Sequence, residues 1–467
     1  MRKRGAYAGN SCLVRRPVNQ NQESEARMSE LSKAIIRECM KGKADDVVVG
    51  VETSENSQVK FSNNKIITTE NSKSTNVMVF VSMKKRVVLT TIKDATMSAA
   101  VKSAKDLIKF AKTLPKNNDY RGIADGPFKY RKLNTEKLDF DSVSLKGIQS
   151  VKDAIKLASQ KGAHRVAGIW EASKTRTELH STGDVSAQDE GATFYFSMRA
   201  FTNEKSSGHS VCSATGLKEL KIDSSVKEAT DIAKQSRGAG TLEPGNYDVL
   251  FYPLAAANLA DNAGHGTSIF AVESGMSFFA GKLGTKVASE NFSMHDDATD
   301  ESGIGSRRFD LEGVPTQNTP LIVNGILKNF LHNTSTAKKY RTKTNAHAGL
   351  VSPEPMNLIV DGGNVNKDSL ISSMKRGLVV TNLWYTRFQN SATGDFSTVP
   401  RDGAFEVING KLRPVKDIRV SDNLALMLMR VKQACNDSRW IIGWEVETPT
   451  KTPSLLIKDV RVTRSTG

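Results

Sequence analysis

The chain has 467 residues, of which 38% are hydrophobic and 25% are charged, as in an ordinary globular protein. A chain of this length can bury several cores, so two or three domains are expected. No apolar run approaches the roughly 20 residues that a membrane-spanning helix needs, so no membrane segment is predicted.

The formal net charge of +16 has two interpretations. A strongly basic chain can bind nucleic acid or another acidic partner. The alternative is a solvated, lysine-rich surface. We favour this alternative because the basic residues are spread along the whole chain and form no dense cluster with aromatic residues. Nucleic-acid binding is retained as the less favoured hypothesis.

The N-terminal residues and the cysteines indicate the cell compartment. Cys12, Cys39, Cys212 and Cys435 are widely scattered and form no C-x-x-C pair. This spacing favours a reducing cytoplasm over a disulfide framework. Residues 1–28 are basic but lack the apolar core of a signal peptide, and they are predicted to form a disordered tail. Since a helix-like pattern begins at Met28, that residue is an alternative start.

Residues 29–115 are predicted to form a first α+β module. Apolar residues recur at helical spacing between 31 and 40, which indicates a short amphipathic helix. A meander of five strands follows, at 47–51, 59–61, 66–69, 77–81 and 87–92. A second helix is predicted over 96–112, and Pro115 lies just beyond its end.

Residues 116–240 are predicted to repeat this plan after a polar linker at 116–145. The pattern gives a helix at 151–158, strands at 166–171, 176–180 and 192–200, and a closing helix at 226–233. A spacing of roughly 120 residues between similar element orders indicates two related modules. Coincidence between two ordinary α+β domains is the alternative.

Residues 241–467 are predicted to form a β-rich domain. A strand at 247–252 leads into buried helices, and a polar loop rich in Gly and Asp follows. Asn324-Gly325 and Asn409-Gly410 each lie between apolar runs, which is a strong hairpin signal. Residues 332–347 are basic and polar and are predicted to form an exposed excursion. The predicted fold class is therefore α+β: two related helix–strands–helix N-terminal modules followed by a β-rich, barrel-like C-terminal domain.

Several short motifs in the last half of the chain carry a family resemblance. They are Gly281-Lys-Leu-Gly284, Gly305-Ser-Arg307, Phe309-Asp310, Glu312-Gly-Val-Pro-Thr316 and Thr393-Gly-Asp-Phe396. Their order resembles that of the TldD/PmbA family, the metalloproteases once called modulators of DNA gyrase. The resemblance implies a link to proteolysis.

The zinc motif of the family's protease subunit is His-Glu-x-x-x-His, with a cysteine farther along as another ligand. Matching Gly264-His265-Gly266 to the end of that motif puts Ala260 at the first histidine and Asp261 at the glutamate. Zinc needs neutral imidazoles or thiolates, and its bound water needs a carboxylate base. Cys435 is the last cysteine and lies before the expected ligand. We therefore predict no catalytic residue and no metal in this chain, with His265 and Asp261 as the remaining candidates.

This pattern resembles the PmbA branch, also called TldE, whose members lack the zinc motif. The resemblance implies a heterodimer with a zinc-bearing TldD-like subunit that degrades unfolded or short peptides in an enclosed cavity. This chain would then bind no cofactor itself, and an extended peptide could add to it as a strand. Two alternatives remain: a zinc metallopeptidase that acts alone through His265 and other ligands, and a nucleic-acid or topoisomerase-associated binding protein.

Three further features are weaker candidates. His295-Asp296-Asp297, with Asp300 and Glu301, could hold a divalent cation through oxygens, but a solvated acidic loop is favoured. Gly303-x-Gly305 lacks the strand–turn–helix context of a nucleotide loop. The positions of Ser181, Ser289 and His209 suggest no nucleophile with its base.

Overall fold

The computed structural model describes residues 20–132 and 139–465, with side chains from Met28 onward. It has the predicted mixture of helices and curled sheets, and the fold class is confirmed. Within the described ranges, no helix is both long and apolar enough to cross a membrane.

The first module contains three long strands where five short ones were predicted. Its elements are α1 Gln20–Lys41, β1 Asp46–Ser62, β2 Lys65–Met83, β3 Arg86–Lys93 and α2 Met97–Ala111. The chain turns only at Asn63-Asn64 and Lys84-Lys85, where all four residues have positive φ. The polar stretches inside β1 and β2 stay extended because they pair with each other. Lys73, for example, lies 2.6 Å from Glu55 across the hairpin.

Helix α1 begins at Gln20, earlier than the predicted start near Leu31. The last part of the predicted disordered tail is therefore helical, and residues 1–19 of that prediction lie outside the described residues. The helix buries Leu31, Ile35 and Cys39 against valines of β1 and β2. This apolar contact explains why the segment is helical despite its many polar residues.

The second module repeats the order of the first. Its elements are α3 Phe140–Gln160, β4 Arg165–Ser181, β5 Ser186–Asn203, β6 Ser206–Ala214 and α4 Ile222–Gln235. Helix α3 begins inside the predicted linker. Strand β6 was not predicted, because its serines and glycine give no apolar alternation.

The two modules share one sheet, with strand order β3-β2-β1-β4-β5-β6 and an antiparallel β1–β4 junction. On one face of this sheet, Phe194, Phe196 and Met198 pack beneath the helices of the second module. On the other face, Tyr195 and Val211 contact the C-terminal domain. The face of the sheet that carries Tyr195 and Val211 is therefore turned towards the C-terminal domain.

The C-terminal domain contains two further sheets around one buried helix. Its elements are β7 Gly245–Phe251, α5 Pro253–Gly266, α6 Ile269–Glu273, β8 Met294–Asp297, β9 Asn318–Val323, β10 Ile326–Leu327, α7 Thr334–Tyr340, β11 Leu358–Val360, α8 Lys367–Ser373, β12 Arg376–Val380, β13 Trp384–Asn390, β14 Asp395–Val399, β15 Ala404–Ile408, β16 Lys411–Val415, β17 Ile418–Asn423, α9 Leu424–Met429, β18 Val431–Ala434, β19 Arg439–Gly443, β20 Val446–Thr452 and β21 Leu455–Arg464. One sheet has the order β10-β9-β8-β11-β20-β19. The other has the order β13-β14-β17-β21-β7-β12-β15-β16, with β18 paired to β21. Both Asn-Gly turns have positive φ at both residues, as the hairpin prediction requires.

The prediction of an exposed excursion at 332–347 is wrong for the two ends of the segment, although residues 340–343 in its middle are exposed. His332, Asn345 and His347 are buried. The amide of Asn345 accepts the backbone N–H of His332 at 2.7 Å and donates to the carbonyl of Phe330 at 2.7 Å. Because these polar groups satisfy one another, the segment can be buried without a large desolvation cost.

Candidate functional site

The segment that resembles the zinc motif lies on helix α5, directly after strand β7. The helix is mostly small residues, and 11 of its 14 residues are buried. It packs closely on β11: a Cβ added at Gly264 would lie 2.3 Å from a methyl of Leu358. This close approach gives a structural reason for the glycine that precedes His265.

Ala260 is the residue that the motif match puts at the first histidine of the zinc motif. It is 2% exposed and belongs to the main apolar core of the C-terminal domain. Its methyl group offers no donor to a metal. An imidazole at this position would have to displace buried apolar side chains of this core.

Asp261 occupies the position of the catalytic glutamate and is 4% exposed. Its carboxylate accepts the backbone N–H of Glu447 at 2.9 Å and that of Thr448 at 3.3 Å. The carboxylate of Asp261 therefore links α5 to strand β20 through two hydrogen bonds. A general base must reach a water molecule, whereas this carboxylate is buried and each of its oxygens binds a backbone amide of the chain.

His265 lies at the edge of the same cluster, with 46% of its side chain exposed. Its Nε2 is 3.2 Å from Thr448 Oγ1 and 3.4 Å from Asp261 Oδ1. Desolvation lowers the pKa of His265, but the hydrogen bond that its ring donates to Asp261 and the charges of Asp261, Glu447 and Glu354 outweigh it and raise the pKa overall. Since zinc binds neutral imidazole, this environment opposes metal binding.

Cys435 is on the other side of the nine-stranded sheet from α5. It packs with Leu250 and Leu456, whereas the neighbouring residues Val249 and Leu455 pack in the core that holds α5. Burial, followed by the charge of Asp437, raises the pKa of the Cys435 thiol to about 11. A metal ligand must be a thiolate, so neither the position nor the chemistry of Cys435 suits a site at His265.

The residues aligned with the zinc motif therefore do not fit zinc. One imidazole remains, its neighbouring carboxylate binds backbone amides, and the position of the second imidazole holds a buried methyl group. Within residues 20–132 and 139–465, no cluster of three or more His, Cys, Asp or Glu side chains has a metal-holding arrangement.

The acidic residues on β8 and in the loop after it, which were candidates for a cation site, do not form a common binding centre. Asp296 is fully buried, accepts the backbone N–H of Met356 at 2.7 Å and lies 3.2 Å from His347. Asp297 accepts the backbone N–H of Thr299 at 2.8 Å. These carboxylates serve the local fold, and the prediction of a solvated loop is wrong for Asp296.

The matched motif at 309–316 is also structural. Asp310 accepts the backbone N–H groups of Glu312 and Val314, each at 2.9 Å, and that of Ala348 at 3.0 Å. Glu312 accepts the backbone N–H of Thr334 at 3.2 Å. Burial raises the pKa of both carboxyls, and the charge of Asp310 raises the pKa of Glu312 further. The pair holds the 332–348 segment in place.

His209 lies beside the hydroxyl of Ser197, and this serine–histidine pair was not predicted from the sequence. Its Nε2 lies 3.0 Å from Ser197 Oγ, and burial lowers its pKa. Its Nδ1 has no hydrogen-bond partner among the described residues. A serine–histidine pair needs a group that orients the second ring nitrogen, so this pair lacks the third member of a triad.

A groove between the N-terminal sheet and the C-terminal domain was not predicted. It consists of two cavities of about 500 and 730 Å³ that share the lining residues Ser173, Thr193 and Ile304. We call it the interdomain groove. Strands β4 and β5 form its floor, and the 301–311 loop with the β19–β20 turn forms its wall. It ends at Glu447, whose backbone donates to Asp261, so the groove leads to the α5 site.

Comparisons with known proteins agree with this architecture. Residues 244–464 match the family model described as the PmbA/TldA metallopeptidase C-terminal domain. The chain is 27% identical over 248 residues to a protein named metalloprotease from Methanothermobacter thermautotrophicus, which covers 51% of this chain and 54% of that protein. It is 28% identical over 208 residues to metalloprotease PmbA of Escherichia coli O157:H7, which covers 43% and 44% respectively. These sequence matches span about half the length of each relative.

The fold similarity covers more of the chain. The crystal structure of TldE from Thermococcus kodakarensis superposes with a TM-score of 0.82 over 93% of this chain and 100% of that chain, at 18% identity. Residues 244–464 therefore carry the PmbA/TldA metallopeptidase C-terminal domain, and the resemblance that the motifs indicated is confirmed over that range.

Proposed function

We propose that this chain is the PmbA/TldE-type subunit of a two-subunit metallopeptidase that degrades unfolded or short peptides in an enclosed cavity. In this proposal the chain itself carries no catalytic zinc. A TldD-like partner in the cytoplasm supplies the metal, and this chain supplies part of the wall that holds the peptide.

The observation that supports the proposal is the set of contacts that Ala260, Asp261 and His265 make on helix α5. The helix carries the segment that resembles the family's zinc motif, and the three residues at the motif positions contact other parts of this chain. Ala260 fills the core, Asp261 binds the amides of β20, and His265 is held beside a carboxylate that favours its charged form. The scaffold is retained without the groups that zinc chemistry requires.

The interdomain groove supports the second part of the proposal. It is long enough for an extended peptide and ends at Glu447, whose backbone N–H binds Asp261 on α5, so a peptide held there would reach the neighbourhood of the segment that resembles the zinc motif. A chain that holds peptides without cutting them needs this kind of groove and no nucleophile.

Metal analysis and reconstitution test the proposal. We expect the purified chain to contain far less than one zinc per molecule and to leave an unfolded peptide uncut. Purified from its native host, it should carry a companion with an intact His-Glu-x-x-x-His motif, and that complex should cut the peptide until a chelator is added. Stoichiometric zinc with chelator-sensitive hydrolysis by the chain alone would overturn the proposal.

Salt-sensitive DNA binding that persists without residues 1–27 would favour the nucleic-acid alternative instead.

A further inference from the structure

The charge of the interdomain groove is opposite to that of the whole chain. Seven carboxylates and one guanidinium, that of Arg307, line its two cavities. The chain as a whole has 66 basic against 50 acidic residues. A narrow space with low-dielectric walls and charges of one sign concentrates ligands of the opposite sign.

Three of these carboxylates have partners inside the chain. Asp189 accepts the backbone N–H of Arg308 at 2.8 Å, and Glu190 lies 2.9 Å from Lys174. Glu171 accepts the side-chain amide of Gln58 at 2.5 Å. These three carboxylates line the groove, but their charges are partly neutralised by the partners within the chain.

The other four carboxylates are free to meet a ligand. The side chains of Glu52, Glu219, Glu301 and Glu447 form no ion pair with any lysine or arginine in the described part of the chain. All four residues are exposed. Glu52, Glu219 and Glu301 line the cavity beside Arg307, and Glu447 lines the end of the groove at α5.

The floor of the groove determines how a peptide can be recognised there. Strand β4 pairs with β1 and β5, and β5 pairs with β6, so the floor has no free backbone edge. The strand addition expected from the resemblance is therefore not open to the floor strands. The floor presents small and hydroxyl side chains such as Ser173, Thr175 and Thr193, over which an extended chain can lie.

We infer that the interdomain groove binds extended peptide segments rich in lysine and arginine. This inference rests on the proposed function and names its substrate class. Long cationic side chains on an extended segment can reach carboxylates on either side of the floor, whereas acidic segments meet repulsion. Recognition through side-chain charge replaces the sequence-independent backbone pairing that strand addition would give.

Fluorescence anisotropy with the full chain tests the inference. The probes are three labelled unstructured hexapeptides that alternate glycine with lysine, glutamine or glutamate. We expect the lysine peptide to bind most tightly, and we expect higher salt to weaken its binding because exposed charges are screened. Equal binding of the three peptides, or preference for the glutamate peptide, would overturn the inference.

A matched pair of triple variants shows whether the charges of the groove are responsible. The groove variant is Glu52→Gln, Glu219→Gln and Glu301→Gln. The control is Glu30→Gln, Glu204→Gln and Glu290→Gln, which removes three exposed carboxylates that do not line the groove. We expect the groove variant to bind the lysine peptide roughly tenfold more weakly and the control to change binding less than twofold. An equal loss in both variants would show that the total charge of the chain, and not the carboxylates of the groove, determines the affinity, and would contradict the groove as the binding site.

The two proposals fail in different ways. Stoichiometric zinc in the lone chain would overturn the non-catalytic assignment, but it would leave the measured charge preference intact. Lack of charge preference would overturn the groove inference, while a zinc-bearing companion could still co-purify.

Discussion

The α5 site and the interdomain groove adjoin each other at Glu447 and use their polar groups in opposite ways. At α5 the carboxylate of Asp261 is bound to two backbone amides of the same chain. In the groove, four glutamates have no basic partner among the described side chains. Polar groups that are satisfied internally stabilise a fold, whereas exposed unpaired groups in a concave space are available to a ligand. This contrast is the basis of both proposals: that α5 serves as scaffold and that the groove binds the peptide.

The largest effect is expected from restoring the family's zinc residues. The double variant Ala260→His and Asp261→Glu puts a bulky polar ring into a full core and lengthens a carboxylate that binds β20. We expect a loss of ~3 kcal/mol or more in the free energy of unfolding, measured by urea denaturation, and no gain of zinc. A variant that folds stably and binds one zinc would show that α5 is still a competent metal helix.

Removing Asp261 alone should have the next largest effect. In Asp261→Ala the N–H groups of Glu447 and Thr448 lose their acceptor in a buried place, and we expect a loss of ~2 kcal/mol. Asp261→Asn keeps one acceptor oxygen and should lose about half as much. Unchanged stability in both variants would mean that the carboxylate does not hold β20, and its role as scaffold would be wrong.

Glu312 belongs to the buried pair of carboxyl groups, Asp310 and Glu312, and its substitution tests how the stability of the chain depends on pH. Because burial and Asp310 raise its folded-state pKa, the folded chain binds more protons than the unfolded chain between the two pKa values. Stability should therefore fall as pH rises through that window. Glu312→Gln removes this dependence and should be ~1 kcal/mol more stable than the wild type at pH 8, with little difference at pH 4. Thermal melts at both pH values measure this, and a variant that is less stable at pH 8 would contradict it.

His265 should give the smallest effect. Its side chain is nearly half exposed, and its partners Thr448 and Asp261 are held by backbone bonds without it. We expect His265→Gln to change the free energy of unfolding by less than about 0.5 kcal/mol and to leave hydrolysis by the reconstituted complex unchanged. Abolished hydrolysis, with the partner still bound, would place His265 in the reaction.

The sequence predicted features that depend on local chemistry. The Asn-Gly pairs at 324–325 and 409–410 form the predicted hairpin turns because few other residues tolerate positive φ at both positions. The fold class and the family were also accessible, since several motifs occur in the family's order. The departure from the zinc motif at Ala260 and Asp261 was also accessible, because it lies at two adjacent positions in the chain.

Features that depend on distant partners were missed. The polar middles of β1 and β2 gave no strand pattern, because their stability comes from pairing with each other. The polar composition of residues 332–347 indicated an exposed loop, but Asn345 within the segment and Asp296 on β8 bind buried polar groups at its ends. The groove is built from segments more than a hundred residues apart, such as those around Glu52, Glu219 and Glu447, and no local pattern connects them.

The most direct test of the non-catalytic assignment is the zinc content of the lone purified chain, measured by mass spectrometry beside its His265→Ala variant. If this chain is a scaffold and binding subunit, both samples will contain far less than one zinc per molecule, and neither will cut peptides. One zinc per wild-type chain that disappears in the His265→Ala variant would contradict it.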